Sequence, residues 1–294
     1  MVVLPCDRSD EHAWSLPTGR GARLCRRALP PASSTACDNR AGIEPLSGSR
    51  SLVSALAQAH VPRMPEGPET RRVALRLSRA LIGKPLVEVC FDFPGIAPWP
   101  ESLQHASVTS VASRGKALLT TFSTGQVLYS HNLLYGRWAV TRGLPKPSRR
   151  RRRVLLRTAE LSVALYSATE IVLTTEAEVE SIPYLQRLGP DVLDLGAVAL
   201  RARLRDPRFS GRQLAALLLD QTFVAGIGNY LRAEALFLAR LSPAKRPRDL
   251  EAREIRALAD TIDVLGARAV RTGGITLDDK RLAAAKALVV ERDA

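Results

Sequence analysis

The chain has 294 residues, 46% of them hydrophobic, enough for one large or two small domains. Its net charge of +14 and pI near 10.5 point to a polyanionic partner, nucleic acid before membrane, although a general arginine bias would give the same balance. No run is long and apolar enough to span a bilayer, and the four cysteines lack C-x-x-C spacing, so neither a zinc site nor a disulfide framework is indicated.

Residues 1–63 are rich in Arg, Ser, Pro, Gly and Ala, show no sustained period, and hold Cys6, Cys25 and Cys37. Such a segment does not build a core. It reads as an irregular extension: an upstream start-site assignment, or a removable or regulatory tail. The folded protein is expected to begin at Met64.

There the chain reads Met64-Pro65-Glu66-Gly67-Pro68-Glu69. Trimming after Met64 would leave Pro65 as a free secondary amine. Such an amine attacks an aldehyde carbon to give an iminium ion, by the logic of a lysine Schiff base. Inside a chain the same nitrogen is a tertiary amide and inert. Glu66 would be a carboxylate placed for proton transfer. An ordinary helix start explains the same residues, with Pro68 near N1 and acidic residues at the positive helix end. Val73, Ala74, Leu77, Ala80 and Leu81 then recur on one helical face until Gly83 and Pro85 stop the helix.

The period next changes to two. Strands are predicted over Leu86–Phe93, Val108–Ser113, Ala117–Phe122, Val127–His131, Arg137–Thr141, Val154–Thr158, Leu161–Tyr166 and Ile171–Thr174. Many short strands between turn residues indicate an antiparallel sandwich or barrel. Three places here could carry chemistry. Lys116, in the Arg114-Gly115-Lys116 turn, could stabilise negative charge or move a proton, or be a solvated hairpin lysine. Leu133, Leu134 and Tyr135, at a turn after a strand, could fill the gap left by an extruded base, or fold back into the core. The run Arg149 to Arg153 suits phosphate contact, or is a solvated loop.

From about Pro190 the pattern is helical. Leu214 to Gln221 reads as a compact helix, Asn229 to Arg240 as another, and Asp249 is placed to cap a third running from Leu250 toward Ala269. Between the first two, Gly226-Ile227-Gly228-Asn229 is expected to expose backbone N–H groups as an anion site, unless it is a plain helix–helix turn. Lys280 to Val290 is a marginal helix.

Four separated motifs now coincide: Met64-Pro65-Glu66-Gly67-Pro68-Glu69, Arg114 to Leu119, Ser130 to Gly136, and Leu219 to Arg232. In this order the chain resembles the endonuclease VIII and formamidopyrimidine-DNA glycosylase family, on the endonuclease VIII side because it reads Pro-Glu-Gly-Pro-Glu. The resemblance covers roughly Met64 to Thr272. It implies an α+β fold: an N-terminal antiparallel β-sandwich with a leading helix (64–190), a helical domain with a helix-two-turn-helix (191–272), and a tail (273–294) where the family has a zinc finger. It implies Pro65 as nucleophile at C1′, Glu66 and Lys116 as its catalytic partners, Gly228 and Asn229 at a DNA phosphate, and Leu133, Leu134 and Tyr135 as void fillers. The family usually carries glutamine where Leu133 stands.

The activity implied is removal of oxidised pyrimidines from double-stranded DNA and strand cleavage at abasic sites. The protein would be a monomer, without a cofactor, in a bacterial cytoplasm at the nucleoid. Two departures bear on this. Pro65 is not the first residue as numbered, and no cysteine follows Cys90, so no bound metal is expected. Both also fit a different protein, a catalytically impaired DNA-binding remnant.

Overall fold

The structure, a computed structural model, describes residues 65–96, 101–145 and 147–292. The expected extension over 1–63, and Met64, lie outside the described residues.

Helix α1 runs Gly67–Leu81 and buries the predicted stripe of Ala74, Leu77, Ala80 and Leu81. Glu69 returns its carboxylate to the helix start, Oε2 accepting the Glu66 N–H at 3.1 Å, so one otherwise unpaired donor is satisfied locally. Eight strands follow: β1 (Glu88–Phe91), β2 (Val108–Arg114), β3 (Ala117–Phe122), β4 (Gln126–His131), β5 (Arg137–Arg142), β6 (Arg152–Arg157), β7 (Leu161–Tyr166) and β8 (Glu170–Thr175). Each lies within two residues of its predicted bounds. They form two antiparallel sheets, ordered β1-β6-β7-β5 and β2-β3-β4-β8.

Alternate residues of both sheets, among them Val89, Leu118, Phe122, Leu128, Trp138 and Leu165, fill the space between them together with Leu77 and Leu81 of α1. The opposite face of the second sheet is also covered. Ala117, Leu119, Val127 and Tyr129 pack against Val179, Ile182 and Leu185 of the segment that leaves β8. Strand β3 is therefore buried on both faces, and reads as a near-continuous apolar run rather than an alternation.

The helical half has its own core, built around Leu200, Leu217, Phe223, Leu231, Leu258 and Ile262. Its helices are α2 (Val192–Arg205), α3 (Asn229–Leu238), α4 (Ala252–Thr272) and α5 (Asp279–Arg292). Helix α2 is broken at Gly196, with φ 72° and ψ 158°. Two expectations are corrected. The helix predicted over Leu214 to Gln221 is a single turn, Leu214–Leu217. Side chains take over the backbone groups that would continue it: Asp220 Oδ1 accepts from Thr222 N, and the Gln221 amide bonds Leu219 O, Ile227 O and Gly226 N. Helix α4 is capped by Glu251 rather than Asp249. Asp249 instead accepts the Arg246 N–H in the short turn before it.

Candidate active site

The site forms where α1 begins. Pro65 is half-buried and leads directly into Glu66, which is 4% exposed. The Glu66 carboxylate does not point to solvent. Its Oε2 accepts from Gly228 N at 2.8 Å and Leu231 N at 3.3 Å, and its Oε1 accepts from Tyr230 N at 2.8 Å. The start of α3 is thus an anion site, as the glycine pattern implied. Its donors face inward, however, and the anion is a carboxylate of the same chain, which corrects the expectation of exposed N–H groups. Charge-assisted bonds of this kind are short and favour the ionised acceptor.

Backbone contacts fix the same junction. Gly67 N donates to Gly226 O at 2.8 Å, and Gly226 reaches that position with φ 94°. Gly228 approaches closer still. A Cβ there would lie 2.2 Å from Glu66 Cδ.

Lys116 faces the same cavity, of about 840 Å³, whose walls include Glu66, Lys116, Gly228, Asn229, Tyr230 and Glu234. The turn that presents it is gripped at three successive residues. Arg114 pairs with Glu180 at 2.9 Å, Gly115 N donates to Asp191 Oδ2 at 2.9 Å, and Lys116 N donates to Tyr184 Oη at 3.0 Å. All three partners come from the connector between β8 and α2. Gly115 has φ 60°, and a Cβ would come within 2.8 Å of Tyr184 Oη, so glycine is required twice over. Asp191 also caps α2 by accepting Leu193 N at 2.9 Å.

Burial dominates the electrostatics. It pushes the Glu66 carboxyl above its ordinary range, against the N–H bonds of Tyr230, Leu231 and Gly228 and the charge of Lys116. Burial likewise lowers Lys116, against the charge of Glu66. The Tyr184 phenol is pushed up to about 12, chiefly by burial, so its oxygen stays protonated. A carboxyl moved up and an ammonium moved down, facing one cavity, are suited to proton transfer.

The remaining sequence candidates fall in two places. Asn229 stands exposed at the cavity mouth. Leu133, Leu134 and Tyr135 form a separate exposed tip at 37%, 46% and 61%; they neither fold back into the core nor line the cavity. The tip is braced: Leu133 N donates to His131 Nδ1 at 3.2 Å, Gly136 N to Asn132 O at 2.8 Å, and Arg150 Nη1 to Tyr135 O at 3.2 Å. The arginine run is more than a solvated loop, since Arg152 pairs with Asp92 at 2.7 Å and Arg153 lies over the Phe93 ring.

Sequence reasoning missed Tyr184, Asp191, Tyr230 and the stretch Gly274–Leu277, which supplies one cavity wall. Only Asp191 carried a usable signal, as an N-cap residue before an apolar run. Among the described residues no cluster of His, Cys, Asp or Glu could hold a metal. Their single cysteine, Cys90, cannot supply the ligands of a zinc finger.

Two family descriptions match the chain: the formamidopyrimidine-DNA glycosylase N-terminal domain over residues 64–172, and the formamidopyrimidine-DNA glycosylase H2TH domain over residues 188–281. Endonuclease 8 of Klebsiella pneumoniae subsp. pneumoniae is 46% identical over 220 residues, covering 74% of this chain and 84% of that protein. Endonuclease 8 of Escherichia coli is 48% identical over 202 residues, covering 68% and 77%. Among solved structures, Lactococcus lactis formamidopyrimidine-DNA glycosylase bound to abasic-site DNA superposes with a TM-score of 0.62 at 24% identity, covering 71% of this chain and 82% of that one. That likeness establishes the fold. With close relatives matched over most of their length, and with both of its domains present, the chain belongs to the formamidopyrimidine-DNA glycosylase and endonuclease 8 family, on the endonuclease 8 side.

Proposed function

We propose that this protein is a base-excision DNA glycosylase with abasic-site lyase activity, acting on oxidised pyrimidines in duplex DNA, once Pro65 becomes the free N-terminus. Residues 64–190 act as the catalytic sandwich and 191–272 as the helix-two-turn-helix DNA-binding domain. The observation that carries the reading is the shared cavity of Glu66 and Lys116, with the residue next to Pro65 held by the start of α3.

The chemistry follows from those positions. The Pro65 nitrogen donates its lone pair to C1′ of the damaged nucleotide. The glycosidic bond breaks, and the base leaves with the bonding pair and takes up a proton. Glu66, with its raised affinity for a proton, gives one to the sugar-ring oxygen. The ring opens, and the C1′–N bond becomes an iminium. Loss of a proton from C2′ then expels the 3′ phosphate, and a further elimination expels the 5′ phosphate. Lys116 stabilises the departing charge and moves protons. The base must leave the stack for any of this, at a cost of a few kcal/mol that is smallest for poorly paired bases. Leu133, Leu134 and Tyr135 are placed to fill the space it vacates, and Asn229 at the cavity mouth to contact the lesion phosphate.

Borohydride trapping tests the nucleophile. A chain begun at Met64 and trimmed to Pro65 should form a covalent complex with abasic-site DNA. The intact chain from Met1 should not. Equal trapping by intact Met1 protein and by a Pro65→Gly variant would remove Pro65 from the mechanism.

A further inference from the structure

A second groove, of about 610 Å³, lies along the outer face of α1 where it meets the end of α4. Four exposed arginines line it: Arg72, Arg76 and Arg79 from α1, and Arg271 from α4. Among the described residues that line it, the one acidic side chain is Glu69. Both Glu69 oxygens are engaged elsewhere, Oε2 by Glu66 N and Oε1 by the Tyr230 hydroxyl at 2.9 Å. Two of the arginines are structural as well. Arg72 Nη1 donates to Val270 O and Arg271 O, and Arg76 Nη2 to Trp138 O at 2.8 Å. The guanidinium groups of Arg79 and Arg271 make no hydrogen bond or ion pair among the described residues. Arg137, at the start of β5, adds its charge beside Arg76.

We infer that this groove is a second phosphate track, which holds the backbone of the duplex flanking the lesion. Four clustered cations share one carboxylate, Glu69, so the groove carries an excess of positive charge that suits a polyanion. Arg72, Arg76 and Arg79 stand at i, i+4 and i+7, so they span about 10 Å along the helix. That matches about three steps of 3.4 Å along one DNA strand. The groove also adjoins the active-site cavity. Gly273 and Gly274, with φ 80° and 93°, thread the chain between Arg72 and Glu69. A Cβ on either would come within 2.8 Å of those side chains. Gly273 lines the groove, and Gly274 lines the cavity.

The inference rests on the glycosylase reading for the duplex itself, and its test separates the two. The affinity of full-length protein for undamaged duplex is measured across a range of salt concentrations, for wild type, for R79Q/R271Q, and for R253Q/R256Q. Arg256 lies about 22 Å from Arg271 along α4. Each lost phosphate contact lowers the slope of log K against log salt by about 0.9, so R79Q/R271Q should flatten it by about 1.8 and R253Q/R256Q should leave it unchanged. Among the described residues neither substituted guanidinium of the first variant makes a bond, and an unchanged far-ultraviolet spectrum would confirm that it is folded. A steep wild-type slope shared by R79Q/R271Q overturns the groove assignment and leaves the glycosylase reading standing. Loss of polyglutamate binding in R79Q/R271Q, with the DNA slope unchanged, would assign the groove to an acidic polypeptide and overturn it equally. A wild-type protein without affinity for duplex would sink the glycosylase reading first.

Discussion

Gly228→Ala adds one methyl group to the most crowded point of the site. The new Cβ would sit 2.2 Å from Glu66 Cδ and 2.4 Å from Oε1, where ordinary contact begins near 3.4 Å. Gly228 is locked by its place at the start of α3, so the carboxylate must withdraw by about 1 Å or more. That breaks at least one of the two 2.8 Å bonds from Gly228 N and Tyr230 N. A hydrogen bond to a charged group is worth about 1.5–3 kcal/mol, and a buried donor left unpaired adds its own cost. The variant should lose about 3 kcal/mol of stability. At a urea dependence of about 3 kcal/mol per molar, the unfolding midpoint falls by about 1 M. Activity should change in a specific way. The N–H bonds hold the Glu66 pKa down against burial; with fewer of them it rises further. Glu66 acts as a proton donor, so the alkaline limb of the pH profile for abasic-site cleavage should therefore move to higher pH. Urea melts and single-turnover cleavage from pH 5 to 9 provide the assay. A variant with wild-type midpoint and an unmoved alkaline limb would refute the claim that these donors set the state of Glu66.

Tyr184→Phe removes the oxygen that accepts Lys116 N–H, and should lower single-turnover cleavage severalfold with little change in DNA affinity; equal loss in both would show that Tyr184 only supports folding. Asn229→Ala should weaken binding to lesion and undamaged duplexes alike, because phosphate contacts carry little sequence information; unchanged affinity at several salt concentrations would return it to a turn residue. A Leu134→Gly, Tyr135→Gly double variant should lose base excision more than cleavage at a preformed abasic site, since only excision needs a stably flipped base, and parallel losses would count against the void-filling role. The raised Glu66 pKa has a stability sign of its own. A folded pKa above the unfolded value means the native state binds the extra proton. This contribution is therefore full below about pH 4 and is lost as pH rises through the folded value; Glu66→Gln should flatten that part of the stability–pH curve.

The sandwich was legible because its strands alternate and its turns are marked by glycine and proline. The α1 stripe was legible because Ala74, Leu77 and Leu81 share one face. The helix lost at Leu214 to Gln221 was not, because the side chains of Asp220 and Gln221 compete for backbone groups that composition assigns to a helix. Catalytic candidates were visible where a motif carries unusual chemistry, as at Pro65 and Glu66. Their partners were invisible for a physical reason. Tyr184 and Asp191 look like ordinary connector residues, and their hold on the Arg114–Lys116 turn arises only when β2 and β3 bring that turn against them. The Gly226-Ile227-Gly228 turn was correctly read as a donor cluster and incorrectly aimed, because nothing local reveals that a carboxylate 162 positions away fills it.

That filling joins the two halves of the molecule at the chemistry. Glu66 belongs to the entrance of α1, which packs on the sandwich, yet its carboxylate completes the start of α3 in the helical half. Asp191 does the reverse. It caps α2 of the helical half, and its other oxygen holds the sandwich turn beside Lys116. Arg71 of α1 adds a third tie, bonding Ser113 of β2 and Asp194 of α2, each at 2.7 Å. Asp191 and Arg71 each bond both halves with one side chain, whereas Glu66 reaches from α1 into the helical half. A displacement of the helical half would therefore move the Glu66 carboxylate and the Lys116 turn together. Substrate that closes the halves on each other would set both groups in one step, and the geometry of Glu66 and Lys116 follows from how the halves are held rather than from either half alone.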